Sequence, residues 1–295
     1  MAEQSFVPAP PKVKVRKAPR KILRTTREVK DIVDRPDLEN LSMQNKLREL
    51  GLAGPQSGMS TQIFRDEVAN LARRNPTSTL GISPKFLLHA LDSGQIEDAC
   101  EEVYGLDTTK NKINIDLELC EIAIDEAAMT LLKASAAGAK IIFASSRPGA
   151  TLPMMSGLAN LAEEFGAVIL ESFTNTATAI VDGRSGRNLS WSGKVATVCE
   201  PATMSLLGTN DIKISDDLFF HLPRPDLVVA DHVFAAGAIA RDYPTISFVG
   251  LESLAVAVAS TNERNALAVP INLSKPSSHY EIINEYFEDF FEAQS

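Results

Sequence analysis

Asp231 and His232 stand directly after the apolar run Leu227, Val228, Val229 and Ala230, and His232 is one of only four histidines in the chain. A run of four apolar residues bounded by a turn signal reads as a buried strand. Small residues follow, Ala235 to Ala240, and then a second apolar run, Thr245 to Val249. That succession predicts a strand, a helical crossover and a parallel strand. Ligands of parallel sheets sit beyond the carboxyl ends of the strands, where this acid and this imidazole are expected. Asp231 could bind a metal, orient His232 or act as a base. It could also simply cap the next helix. His232 could donate to a phosphoryl oxygen or move a proton near neutral pH.

A second group has the same placement. Lys140 to Ala144 predicts a short buried strand, and Ser145, Ser146, Arg147, Pro148 and Gly149 follow it before a helical segment. Hydroxyls, a guanidinium and a helix N-terminus together suit a phosphate or carboxylate, with Arg147 as the bidentate contact. The alternative is a plain strand-to-helix turn shaped by Gly149. The loop has neither the P-loop spacing nor the three-glycine dinucleotide fingerprint. Glu200 follows the run Val195 to Cys199, and Glu252 follows Val249, Gly250 and Leu251. With Asp231 they would form an acidic set suited to Mg²⁺ or Mn²⁺. Either glutamate could equally cap a helix or face solvent. Asp231, His232 and Glu200 are therefore the candidate catalytic residues. Ser145, Ser146, Arg147 and Gly149 are the candidate anion site, and Asp231 and Glu252 the candidate metal ligands.

The elements that must position these residues read as an α/β fold. A largely parallel, Rossmann-like three-layer sheet is expected over residues 138–295, ending in an amphipathic helix from Tyr280 to Phe290. Strands at 177–181 and 194–199 around Asp182 to Gly186 suggest a small hairpin insertion, and 201–207 a short helix. Residues 36–137 read as a helical flank or cap, with helices at 36–52, Met59–Arg74, Pro84–Leu91, Ile96–Tyr104 and Asp116–Ala137. Residues 1–35 read as a basic, proline-rich, weakly ordered extension.

Composition narrows the function classes. The chain has 295 residues and 44% hydrophobic content, enough for one large core or two modest ones. Residues 1–30 hold nine Lys or Arg against Glu3 and Glu28, a charge of +7, so −16 is left for the rest of a chain whose total is −9. An acidic body disfavours nucleic acid. The basic extension could serve nucleic acid, an acidic protein partner or an anionic membrane surface, or contact the chain's own body. The C-terminal apolar stripe could support a homodimer. No apolar run reaches the roughly 20 residues of a membrane span. Cys100, Cys120 and Cys199 are odd in number and unpaired in spacing, and the opening residues lack a secretory h-region. Both point to a reducing cytoplasm.

Several segments together resemble a poorly characterised actinobacterial family described as a phosphatase domain. They are Leu50 to Gly54, Val103 to Asp107, Ile142 to Gly149 and, most closely, Pro225 to His232, with Ala268 to Pro270 and Tyr280 near the end. The resemblance spans about residues 45–290. It implies a small phosphorylated or anionic metabolite as ligand and metal-assisted hydrolysis of a phosphomonoester. It also implies an altered site. The family carries a histidine where this chain has Arg147, a His-Ser or His-Thr-His element where this chain reads Ala196 to Pro201, and an Asp-Cys-Asn-Asp-like group where this chain reads Val249 to Leu254. The alternative is thus a catalytically inactive homologue that binds, regulates or scaffolds through its basic extension.

Overall fold

The computed structural model describes residues 38–294 except 39, 84–86, 88–91, 107–111, 172–187, 201–202, 204 and 263–264. The expected basic extension, the helix at Pro84–Leu91 apart from Leu87, and the strand at 177–181 lie outside the described residues. In order, the elements are α1 (Met43–Glu49), β1 (Gly54–Ser60), α2 (Thr61–Ala72), α3 (Pro76–Thr79), α4 (Ser93–Tyr104), β2 (Lys112–Ile115), α5 (Leu117–Ala136), β3 (Lys140–Ala144), α6 (Pro148–Glu164) and β4 (Val168–Ile169). The chain continues through β5 (Asn188–Ser192), β6 (Val195–Glu200), β7 (Ser205–Leu207), α7 (Ile212–His221), β8 (Leu227–Asp231), α8 (His232–Ile239), β9 (Thr245–Val249), α9 (Leu254–Asn262), β10 (Ala266–Pro270) and α10 (Glu281–Gln294).

Short polar side chains set the helix starts. Asp116 accepts hydrogen bonds from the Glu118 and Leu119 N–H groups and so begins α5, and the Ser60 hydroxyl accepts from Ile63 N–H to begin α2. Every residue of β8 (LVVAD) and β9 (TISFV) is buried, and most are apolar. That is the signature of a parallel strand covered on both faces. α8 is apolar all round for the same reason: it is buried along its whole length. α7 packs on α8. Gly237 makes the approach possible, because a Cβ there would stand 2.2 Å from the Ser215 hydroxyl.

The main sheet runs β10-β9-β8-β3-β6-β5, with β4 beside β3 and β7 beside β6. β3 pairs in parallel with β8 along one edge. Along the other it pairs with β4 through Lys140 and Ile141 and with β6 through Phe143 and Ala144. The chain therefore builds on one side of β3 first and then crosses to the other. The switch point lies between the ends of β3 and β8, where open α/β sheets take their ligands. The expected α/β architecture, mostly parallel and flanked by helices, is present.

Several boundaries differ from the sequence reading. The hairpin strands are β5 and β6, joined by Gly193 and Lys194, and Gly193 supplies the positive φ of 58° that a two-residue turn takes. Of the short helix expected at 201–207, residues 205–207 are instead β7, which returns antiparallel along β6, while 201, 202 and 204 lie outside the described residues. Among the described residues, the helix expected at 36–52 is confined to α1. The helical flank also contains a small sheet, β1 paired antiparallel with β2. β1 (GPQSGMS) has no alternating apolar pattern, and its opening Gly-Pro reads as a turn. Residues 38–295 form a single compact unit in contact terms, and residues from the flank and the sheet share one apolar core. No helix among the described residues is long and apolar enough to cross a membrane.

Candidate functional site

Asp231 ends β8 fully buried, and its carboxylate faces the loop after β3. It accepts the Ser146 backbone N–H at 2.6 Å, the Ser146 hydroxyl at 2.5 Å and the Thr151 hydroxyl at 2.6 Å. The Ser145 and Thr151 hydroxyls lie 2.7 Å apart. Thr151 can donate to only one oxygen, so Ser145 donates to Thr151 and Thr151 to Asp231. Burial pushes the Asp231 carboxyl above its ordinary value, and the Ser146 and Thr151 donors pull back. The arrangement splices the β3 loop, the first turn of α6 and the end of β8 into one unit across the switch point. The hydroxyls of Ser145 and Ser146, expected to meet an anion, are turned inward to this network.

Arg147 leaves the same loop in the opposite sense. It is the N-cap residue of α6 without a side-chain cap. Its Nη2 lies 3.3 Å from Glu252 Oε1, with both side chains a little over a quarter exposed. This is a charge contact without hydrogen-bond geometry, because Arg147 Nε and Glu252 Oε1 are buried atoms with no hydrogen-bond partner. Gly149, two residues on, is exposed, and a Cβ there would meet nothing within 4 Å. The N-terminal end of a 17-residue helix thus opens to solvent beside a guanidinium with an unspent donor.

His232 points the other way from Asp231, as adjacent residues do. Its Nδ1 is 2.8 Å from the Ser253 hydroxyl and its Nε2 is 3.0 Å from Asn210 Oδ1. An imidazole Nε2–H donating to the Asn210 carbonyl oxygen leaves Nδ1 to accept from Ser253. Burial, and then the charge of Arg147, lower the His232 pKa to about 3, so the ring is neutral. The residue carries a positive φ of 40°. A non-glycine residue held so stores strain, which collects at functional sites. An alcohol donating to a neutral imidazole held by an amide is the arrangement used in base-assisted nucleophilic catalysis. Here it is closed: Ser253 is fully buried and His232 is 3% exposed.

The remaining rim comes from elsewhere in the chain. Beyond β7, Thr209 N–H donates to Ser146 O at 2.9 Å, which carries Asn210 across to His232. The Tyr104 hydroxyl, at the end of α4, donates to Gly250 O at 2.9 Å. Asn272 N–H donates to Leu52 O, and the Tyr280 hydroxyl donates to Asn272 O. Glu200, at the end of β6, accepts instead from the Thr203 hydroxyl at 2.7 Å.

These contacts draw the segments around Leu52, Tyr104, Arg147, Asp231 and Tyr280 to the carboxyl rim of one sheet, and a family model described as Phosphatase matches residues 39–290. The chain belongs to the Phosphatase family. No curated protein matches it. Among the described residues of this phosphatase-family chain, no three His, Cys, Asp or Glu side chains are grouped as a metal site would need. Of the residues expected from sequence, Ser146 meets Asp231 directly, Ser145 reaches it through Thr151, Arg147 meets Glu252, and His232 meets Ser253, the residue after Glu252, whereas Glu200 pairs with Thr203 away from them. Thr151, Asn210 and Ser253 escaped the sequence reading. Only Thr151 left a signal: it lies four residues after Arg147, hence on the first turn of α6 facing the loop.

Proposed function

We propose that this phosphatase-family chain binds the phosphoryl group of a small metabolite at the open N-terminus of α6 and hydrolyses its monoester. The observation that carries the reading is the unpartnered Nε of Arg147 beside the uncovered Gly149 backbone. A guanidinium and a helix N-terminus recognise a phosphoryl group through the same donors. The contact with Glu252 would open as the phosphate takes the guanidinium.

Asp231 holds the loop in this reading. Both of its oxygens already accept hydrogen bonds, so its task is to fix where Arg147 emerges. The donor set fits a cation carried in by the phosphate better than a resident one: Glu252 Oε1 is without a hydrogen bond, whereas Asp231 serves Ser146 and Thr151, and Glu200 serves Thr203. Mg²⁺ or Mn²⁺ bound there would screen phosphate charge. His232, being neutral, accepts from the buried Ser253 hydroxyl and so holds the loop that carries Glu252 against the end of β8.

A second reading, binding without turnover, is favoured by the burial of Asp231, His232 and Ser253. One experiment separates the two. Phosphomonoester turnover across a broad panel, with and without Mg²⁺ or Mn²⁺, is set beside calorimetric binding of the same compounds. Hydrolysis abolished by Arg147→Ala supports the first reading. Binding lost in Arg147→Ala with no hydrolysis in the parent supports the second. Absence of both overturns the site.

A further inference from the structure

The opposite side of the sheet carries an opening that the switch-point site does not use. A cavity of about 1000 Å³ lies at the amino ends of β8, β9 and β10, bordered by Leu227, Thr245, Ala266 and the end of α9. A smaller one of about 210 Å³ continues it along β10 to Ala268. The two share Glu126, Ser260, Thr261, Ala266 and Leu267, so they form one groove.

The floor of this groove is a sheet edge. β10 is the last strand in the sheet order and pairs with β9 alone among the described residues. Asn265 O accepts from Thr245 N–H, and Ile271 N–H donates to Val249 O. In a parallel pair each residue directs its N–H and C=O to the same side, and successive residues alternate. The odd-numbered residues from 265 to 271 therefore face β9. Ala266 and Ala268 present their N–H and C=O groups outward, and Pro270 its C=O. Ala266, Leu267 and Ala268 are half-buried, and a strand edge with such outward groups templates another strand.

The wall is α5. Leu119, Ile122, Ala123, Glu126, Met129 and Thr130 line the groove at helical spacing. They extend over about 16 Å, the length of about five residues of strand. Ile122 is 46% exposed, a large apolar side chain left without cover. Glu102, Asp125 and Glu126 add acidic charge, and no Lys or Arg lies among the described lining residues. A second copy of this chain, pairing edge to edge, would set acid against acid.

We infer that the β10 edge accepts an extended, basic peptide segment of a partner as an added strand. Its main chain would pair with Ala266 and Ala268, its apolar side chains would meet Ile122 and Met129, and its Lys or Arg side chains would meet Glu102 and Glu126.

The test uses the full chain and a fluorescent ten-residue peptide of alternating Lys and Val. A Glu-Val counterpart and a fully N-methylated Lys-Val peptide serve as controls. Anisotropy should show saturable binding of the Lys-Val peptide alone. Ala268→Pro removes an outward N–H without touching the ladder to β9 and should weaken binding at least tenfold. Glu126→Lys, on the exposed face of α5, should do the same if the proline variant fails to fold. Equal binding of the N-methylated peptide would overturn the proposal, because charge alone would then suffice. So would no Lys-Val binding, or sedimentation showing a dimer that Ala268→Pro dissolves.

Discussion

Ser146 donates twice to Asp231, once from its backbone N–H and once from its hydroxyl, so one buried carboxylate holds the loop after β3 against the end of β8. Removing the acceptor strands buried donors. Asp231→Ala leaves Ser146 N–H, Ser146 Oγ and Thr151 Oγ1 without it, and should destabilise the fold by about 3 kcal/mol. Urea unfolding measures it. A loss under about 1 kcal/mol would mean that water replaces the carboxylate and the splice is not structural.

Acid sensitivity should trace to His232. The free imidazole titrates near 6.5 and the folded one near 3. Between those values the unfolded chain holds a proton that the folded chain does not, so stability falls as pH drops through the window. The loss is about 2 kcal/mol by pH 5. Asp231 runs in the opposite sense: its folded pKa is raised, so its contribution declines as pH rises above its ordinary 3.8. Comparison with His232→Asn isolates the imidazole. The stability gap between parent and variant should shrink by about 2 kcal/mol from pH 7 to pH 5. A constant gap would show that His232 is not held neutral.

The left-handed backbone at His232 gives a separate expectation. Glycine accepts a positive φ without strain and alanine does not. His232→Gly should therefore be more stable than His232→Ala by about 1 kcal/mol, although both lose Ser253 and Asn210. Paired thermal unfolding tests the order, and an alanine variant at least as stable would remove the strain.

Tyr104 ties α4 to the β9 loop through a single hydroxyl. Tyr104→Phe should cost about 1 kcal/mol and leave the apolar packing of the ring intact. An unchanged denaturation midpoint would show that Gly250 O finds another donor.

The parts of the fold most legible in the sequence are those in which local pattern and burial agree. β8 and β9 are mostly apolar runs, and α5 is framed by Asp116 and Gly138, so their bounds fall within a residue or two of the expected ones. α7 was missed because its apolar side, Ile214, Leu218 and Phe219, is short and mixed with acids. β1 and β7 were missed because neither alternates and tertiary pairing alone makes them strands. At the site, residue types placed Arg147 and Asp231 on one rim of the sheet, because each stands at the end of a buried strand. Direction was not legible. That Ser146 turns inward to Asp231 while His232 turns to Ser253 and Asn210 depends on how three loops cross above the sheet, and neighbours in sequence carry no record of that.

The central claim is that Arg147 and the α6 N-terminus receive a phosphoryl group. Following the Gly149 amide by ¹H–¹⁵N NMR while inorganic phosphate is added tests it most directly. A saturable shift in the parent that vanishes in Arg147→Ala is the predicted result; a Gly149 amide that stays still, or moves equally in both proteins, would contradict it.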